Sequence, residues 1–135
     1  MSSFRLEIVT PRGSYFQDFV QSLTVDTEMG YVTILRDHLP LVAPVRISQL
    51  FLKDEQGETH TYAIGGGLLQ VKESEVVLLL DSIESPEEID LERAELAAKR
   101  AKARLEAKDK KIDIYRAEAA LHRALNRMKV KNDIK

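Results

Sequence analysis

Arginine is well suited to gripping phosphate oxygens, because its planar guanidinium offers two parallel N–H donors and stays charged at any physiological pH. Arg93, Arg100, Arg123 and Arg127 all lie in the last third of this chain. If the chain there forms two antiparallel helices turning near residue 110, residues whose numbers sum to roughly 220 face each other. Arg93 then faces Arg127, and Arg123 faces the turn of helix around Ala97. Arg100 follows Arg93 by two helical turns, and Arg127 follows Arg123 by one. Arg116, near the turn, stands apart. Like charges at that density repel unless something neutralises them. Two readings satisfy them: Glu92, Glu95 and solvent, or a bound polyphosphate. The chemistry is binding and not phosphoryl transfer, since neither a P-loop nor a carboxylate cluster for a metal accompanies the arginines.

The helices that would position these arginines are written in a repeated phrase. "IDLERAE" begins at Ile89 and "IDIYRAE" at Ile112. In each, Asp stands where an N-cap belongs, at Asp90 and Asp113, and Ile precedes it. Glu92 complements the first helix dipole. The composition and period predict helices over about 90–107 and 113–130, joined by the polar turn "KDKK". The inner stripe is mostly alanine: Ala94, Ala97, Ala98, Ala101 and Leu105 on the first helix, and Ala117, Leu121, Ala124 and Met128 on the second. A buried CH₂ contributes only about 0.8 kcal/mol, so such a hairpin is marginal and a ligand bridging both helices could decide whether it closes. Capping accounts for the repeat without function, but it leaves the arginines unexplained.

The first two thirds have a different period. "FRLEIVT" sets Phe4, Leu6 and Ile8 against Arg5 and Glu7, and "SLTVDT" sets Leu23 and Val25 against Ser22, Thr24 and Asp26. "TYAIGGGLLQVKESEVVLLLDSI" reads as two strands around a turn at residues 72–75. Short β-rich segments punctuated by Gly, Pro, Asp and Glu predict an antiparallel β-sandwich. Gly65-Gly66-Gly67 has no following Gly-Lys-Ser/Thr and leads into strand, so it reads as a bulge or close backbone approach and not a phosphate loop. The fold class is therefore α+β, with a sandwich over 1–85 and a helical hairpin over 86–135.

The 135 residues include no cysteine and no tryptophan, which excludes disulfides and thiolate metal sites. Residues 1–85 hold twelve acidic and six basic residues, and residues 86–135 hold ten acidic and fourteen basic ones. That split suggests two parts with different partners, while the acids interleaved in the basic half argue against nucleic acid. "MSSFRLEIVT" lacks the plan of a secretory signal, and no apolar run approaches the roughly 20 residues of a membrane span. Membrane attachment is thus expected only through partners. Glu118 and His122 share a helix face without a third ligand, so no metal site is expected.

Three stretches in order, "GYVTILRDHLPLVAPVRI", "YAIGGGLLQV" and "IDLERA", resemble the epsilon subunit of the bacterial F-type ATP synthase, whose mitochondrial counterpart is called delta. The first resembles "GELGILPGHxPLV", the second "SGGxLEV", and the third the Ile/Leu-Asp-x-x-Arg-Ala motif of bacillus-type members. The resemblance covers essentially the whole chain. It implies a sandwich of about ten strands at the foot of the central stalk, against the gamma subunit and the c-ring. It also implies a hairpin that either folds compactly or extends into the alpha and beta subunits, where it inhibits ATP hydrolysis. In some members ATP binds the folded hairpin. Carried over residue by residue, the ATP contacts are Glu84, Asp90, Arg93, Ala94, Arg100, Arg123 and Arg127, with the arginines on the triphosphate and Asp90 and Glu84 at the adenine or ribose end. The implied location is the cytoplasmic face of the cell membrane, peripheral, within the ATP synthase.

The chain departs from that pattern at Tyr31, where the family has Glu, and at Arg36-Asp37, where it has Pro-Gly before the matching His38. Tyr31 and His38 lie on the edge that the family uses for subunit contacts; His38 reads equally as a loop histidine satisfying turn backbone. Three functions follow from the residues and the resemblance together. One is a noncatalytic rotor subunit whose hairpin senses ATP. Another is the same subunit with an inhibitory hairpin that does not sense ATP, its arginines meeting acids of the catalytic subunits. The last is a free-standing nucleotide-binding adaptor. An independent enzyme is not expected, because no nucleophile–base pair or cofactor loop is visible.

Overall fold

A computed structural model describes residues 3–107 and 113–132. It divides into two compact units, 1–83 and 84–135. Among the described residues, β1 (Phe4–Thr10), β2 (Gly13–Thr27), β3 (Gly30–Ile34), β4 (Leu41–Asp54), β5 (Thr59–Val71), β6 (Glu75–Leu80) and β7 (Ile83–Glu84) make one seven-stranded sheet. Its order is β1-β6-β5-β4-β2-β3, β7 pairs with β5, and β1 also pairs with β2. The sheet therefore closes on itself through five strands, with β3 and β7 each paired on one side only.

The alternation dictates which side is core. Leu6 and Ile8 on β1, Leu23 and Val25 on β2, Leu50 and Leu52 on β4, and Leu78 and Leu80 on β6 are buried in one cluster. Phe4, Phe16, Val32, Leu41 and Tyr62 pack against it from partly buried positions. Where about ten strands were expected, seven are assigned. β2, β4 and β5 run 15, 14 and 13 residues without a break in assignment. The β2–β4 register shifts between Val20 and Ser22 and again between Thr24 and Thr27, so bulged long strands do the work of several shorter ones. One pairing, β1–β6, is parallel, an arrangement that period-two alternation cannot reveal.

The triple glycine is a close backbone approach and not a bulge, since the β4–β5 register is the same on both sides of it. β4 pairs Val45 with Gly67 and Ile47 with Gly65, skipping Arg46 and Gly66. Gly66 has φ +96°, which disfavours any side chain, and a Cβ on Gly67 would lie 1.9 Å from the Leu79 carbonyl oxygen. Backbone donors continue the pairing past Leu80: Gly65 N–H to the Ser82 carbonyl at 3.0 Å, and Asp81 N–H to the Gly66 carbonyl at 2.9 Å.

In the second unit, α1 (Leu91–Glu106) and α2 (Ile114–Asn132) pack against each other as a hairpin. Both predicted caps form. Asp90 Oδ1 accepts from the Arg93 N–H at 3.1 Å, and Asp113 Oδ1 from the Arg116 N–H at 3.2 Å. The fully buried helical side chains are Ala94, Ala101, Ala117, Ala124 and Val130, so small residues let the two backbones approach. Ala97, Ala98, Leu105, Leu121 and Met128 are partly buried. The "KDKK" turn and Ile112 lie outside the described residues.

Candidate functional site

The segment leading into α1 is built before the helix begins. Ser85, Pro86, Glu87 and Glu88 form a reciprocal capping box: the Ser85 N–H donates to Glu88 Oε1 at 2.9 Å, and the Glu88 N–H to Ser85 Oγ at 3.4 Å. Pro86 occupies the position where its missing N–H costs nothing. Asp90 then caps α1, placing Arg93 and the buried Ala94 in its first turn.

The seven carried-over positions divide by what they touch. Glu84 and Arg127 meet directly, Arg127 Nε donating to Glu84 Oε1 at 2.5 Å in a half-buried ion pair. Asp90 spends Oδ1 on its own helix. Arg93, Arg100 and Arg123 are exposed, and among the described residues none of the three has a carboxylate within 4.0 Å. Glu92 and Glu95 therefore do not neutralise them through ion pairs. Three cations on the two helices of one hairpin, without acidic partners, suit an anion with several oxygens.

Tyr31 is exposed on β3, its ring 6.3 Å from that of Phe51. His38 serves its own turn: its N–H donates to the Leu35 carbonyl and Nδ1–H to the Leu39 carbonyl at 2.9 Å. Asp37, in the family's glycine position, takes φ +66°, which Asp tolerates better than most residues. Exposed apolar neighbours in sequence were missed: Met29 at 77%, Leu39 at 79% and Val42 at 67% exposure. The cue was present in "MGYVTILRDHLPLV", which is apolar without a clean period of two.

His60, assigned no role from sequence, lies with Nε2 2.8 Å from Asp54 Oδ2. Asp54 Oδ1 accepts from the N–H groups of Gln56 and Glu58, both at 2.9 Å. His60 first, and then these backbone donors, hold the Asp54 carboxyl below its usual range against an opposing effect of burial. With Glu58 nearby the trio could in principle hold a metal ion, but the Asp54 oxygens are already occupied in locking the β4–β5 turn.

Residues 3–86 match the β-sandwich domain of the ATP synthase delta/epsilon chain, and residues 87–132 match its long α-helix domain. The chain belongs to the ATP synthase delta/epsilon family. It is similar to the ATP synthase epsilon chain of Caldicellulosiruptor bescii, with 42% identity over 108 residues, 80% of this chain and 78% of that one. The epsilon chain of Priestia megaterium is 38% identical over 80% of each chain. Among solved structures, a chain of the Euglena gracilis mitochondrial ATP synthase, determined as OSCP/F1/c-ring, superposes with a TM-score of 0.80. It is 25% identical, covering 90% of this chain and 77% of that one. The delta/epsilon chain is a noncatalytic subunit, which agrees with the absence of a reactive constellation in the sequence. Among the described residues no helix is long and apolar enough to cross a membrane.

Proposed function

We propose that this chain is a central-stalk rotor subunit of an F-type ATP synthase, coupling ion flow to ATP synthesis while its hairpin regulates ATP hydrolysis. The sandwich would dock on the gamma subunit and the c-ring, using exposed apolar side chains such as Met29, Tyr31, Leu39 and Val42. An exposed apolar group of that kind marks a contact surface. The hairpin would reach the alpha and beta subunits when extended. The complex would lie at the cytoplasmic face of the cell membrane, to which the chain attaches through its partners alone.

ATP is the regulatory ligand in this reading. The observation that carries it is the set of exposed arginines, Arg93, Arg100 and Arg123, on two helices that pack through alanine. Their chemistry fits a triphosphate, and a ligand touching both helices favours the closed hairpin by its differential affinity. Titrating the full chain with ATP, as wild type and as Arg123→Ala, tests it. Binding that the substitution weakens is expected; equal binding by both, or binding by neither, overturns the assignment.

A second reading keeps the subunit and removes the sensor. The Glu84–Arg127 pair favours it, because one of the four arginines is already neutralised within the chain. Absence of ATP binding together with inhibition of hydrolysis in the assembled enzyme would select it. Family membership supports both over a free-standing adaptor.

A further inference from the structure

We propose that the hairpin carries its own latch, which closes it without nucleotide. The latch consists of Arg127 and Lys131 on the last two turns of α2 and their acceptors on the segment preceding α1. Arg127 Nε binds Glu84 Oε1, and Lys131 Nζ donates to the Pro86 carbonyl at 2.8 Å. The two cations are four residues apart and so occupy one face of α2. Val130, between them in sequence, is 0% exposed.

The receiving side is pre-organised. The capping box of Ser85 and Glu88 fixes the turn, Pro86 is buried, and the Ile89 N–H holds the other side of the Pro86 carbonyl at 3.3 Å. An acceptor held in place loses little freedom when a donor arrives, so the bond forms at low entropic cost. Both contacts are between charged or charge-assisted groups, and both join positions more than forty residues apart in sequence. Neither can persist once α2 leaves α1. Opening must break an ion pair and a lysine hydrogen bond at the end farthest from the helix–helix turn, where leverage against an alanine interface is greatest. Nucleotide would then add to a closed state that exists already and would not create it.

The inference rests on the hairpin being the regulatory element proposed above, but its test is separate. Hydrogen exchange of α1 and α2 amides is followed in the full chain without nucleotide, with β4 and β5 amides as the folding control. Glu84→Gln and Lys131→Met should each speed exchange in the helices roughly fivefold, a modest factor because the groups are partly exposed. The double exchange Glu84→Arg with Arg127→Glu should restore protection. Unchanged helix exchange in both single variants overturns the latch, as does failure of the swapped pair to restore what Glu84→Gln loses. ATP is then added to the wild type. If ATP changes nothing while the variants open, the nucleotide reading fails and the latch stands. If ATP protects the helices while the variants match wild type, the reverse holds.

Discussion

Glu84 and Arg127 are 43 residues apart in sequence and join side chain to side chain, with Nε 2.5 Å from Oε1. Arg123, one turn earlier on the same helix, has no carboxylate within 4.0 Å among the described residues. The two arginines should therefore respond differently to truncation. Arg123→Ala is expected to change thermal stability by less than about 0.5 kcal/mol and to weaken ATP binding on the order of tenfold or more. Arg127→Ala should weaken ATP binding and also loosen the hairpin, by about 1 kcal/mol or less because the pair is partly solvated. Calorimetric titration and hydrogen exchange on the same samples separate the two effects.

The repeated phrase sets up a matched comparison. Asp90 and Asp113 cap their helices with nearly the same geometry, so Asp90→Ala and Asp113→Ala should each cost about 1 kcal/mol of helix stability. Only the first should also change nucleotide affinity, because Asp90 stands beside Arg93 and Ala94. Circular dichroism melts with and without ATP read both quantities.

Gly67 tests the sheet. An alanine Cβ there would lie 1.9 Å from the Leu79 carbonyl oxygen and 2.9 Å from its carbon, and backbone cannot give way as a flexible side chain can. Gly67→Ala should destabilise the sandwich by about 3 kcal/mol, measured by urea denaturation. Gly57, whose added Cβ would meet nothing within 4 Å, should cost only the strain of its φ of +85° when changed to alanine, about 1 kcal/mol.

The β4–β5 tip should open in acid. The Asp54 carboxyl is lowered in the folded chain, chiefly by His60 and then by the Glu58 and Gln56 N–H groups. A carboxyl with a depressed folded value contributes stability that is fully present above its unfolded range and is lost as pH falls through the folded one. Amide resonances of Gln56 and Glu58 should therefore be unperturbed at neutral pH and shift only below the ordinary aspartate range. In Asp54→Asn that acid transition should disappear from both amides.

Much of the fold could be read from residue order. Asp90 and Asp113 predicted the helix starts, the alanine stripe predicted the helix contact, and the missing Gly-Lys-Ser/Thr after Gly67 separated a close backbone approach from a phosphate loop. These features depend on neighbours within a few positions, where propensity, capping and period act. Strand count was less legible, since a bulge such as that between Val20 and Ser22 bends a strand without ending it. The parallel β1–β6 pairing left no trace, because register between distant segments is settled by which apolar faces meet.

The candidate site divides along the same line. The types and spacing of Arg93, Arg100, Arg123 and Arg127 were enough to gather four cations on one hairpin and to suggest an anion. Which of them already has an anion was decided only by the tertiary structure. Glu84, Pro86, Arg127 and Lys131 become neighbours when the chain doubles back, and the Asp54–His60 contact appears only when a turn closes. An ion pair depends on distance in space, and no local pattern in the sequence encodes a distance between residues 43 positions apart.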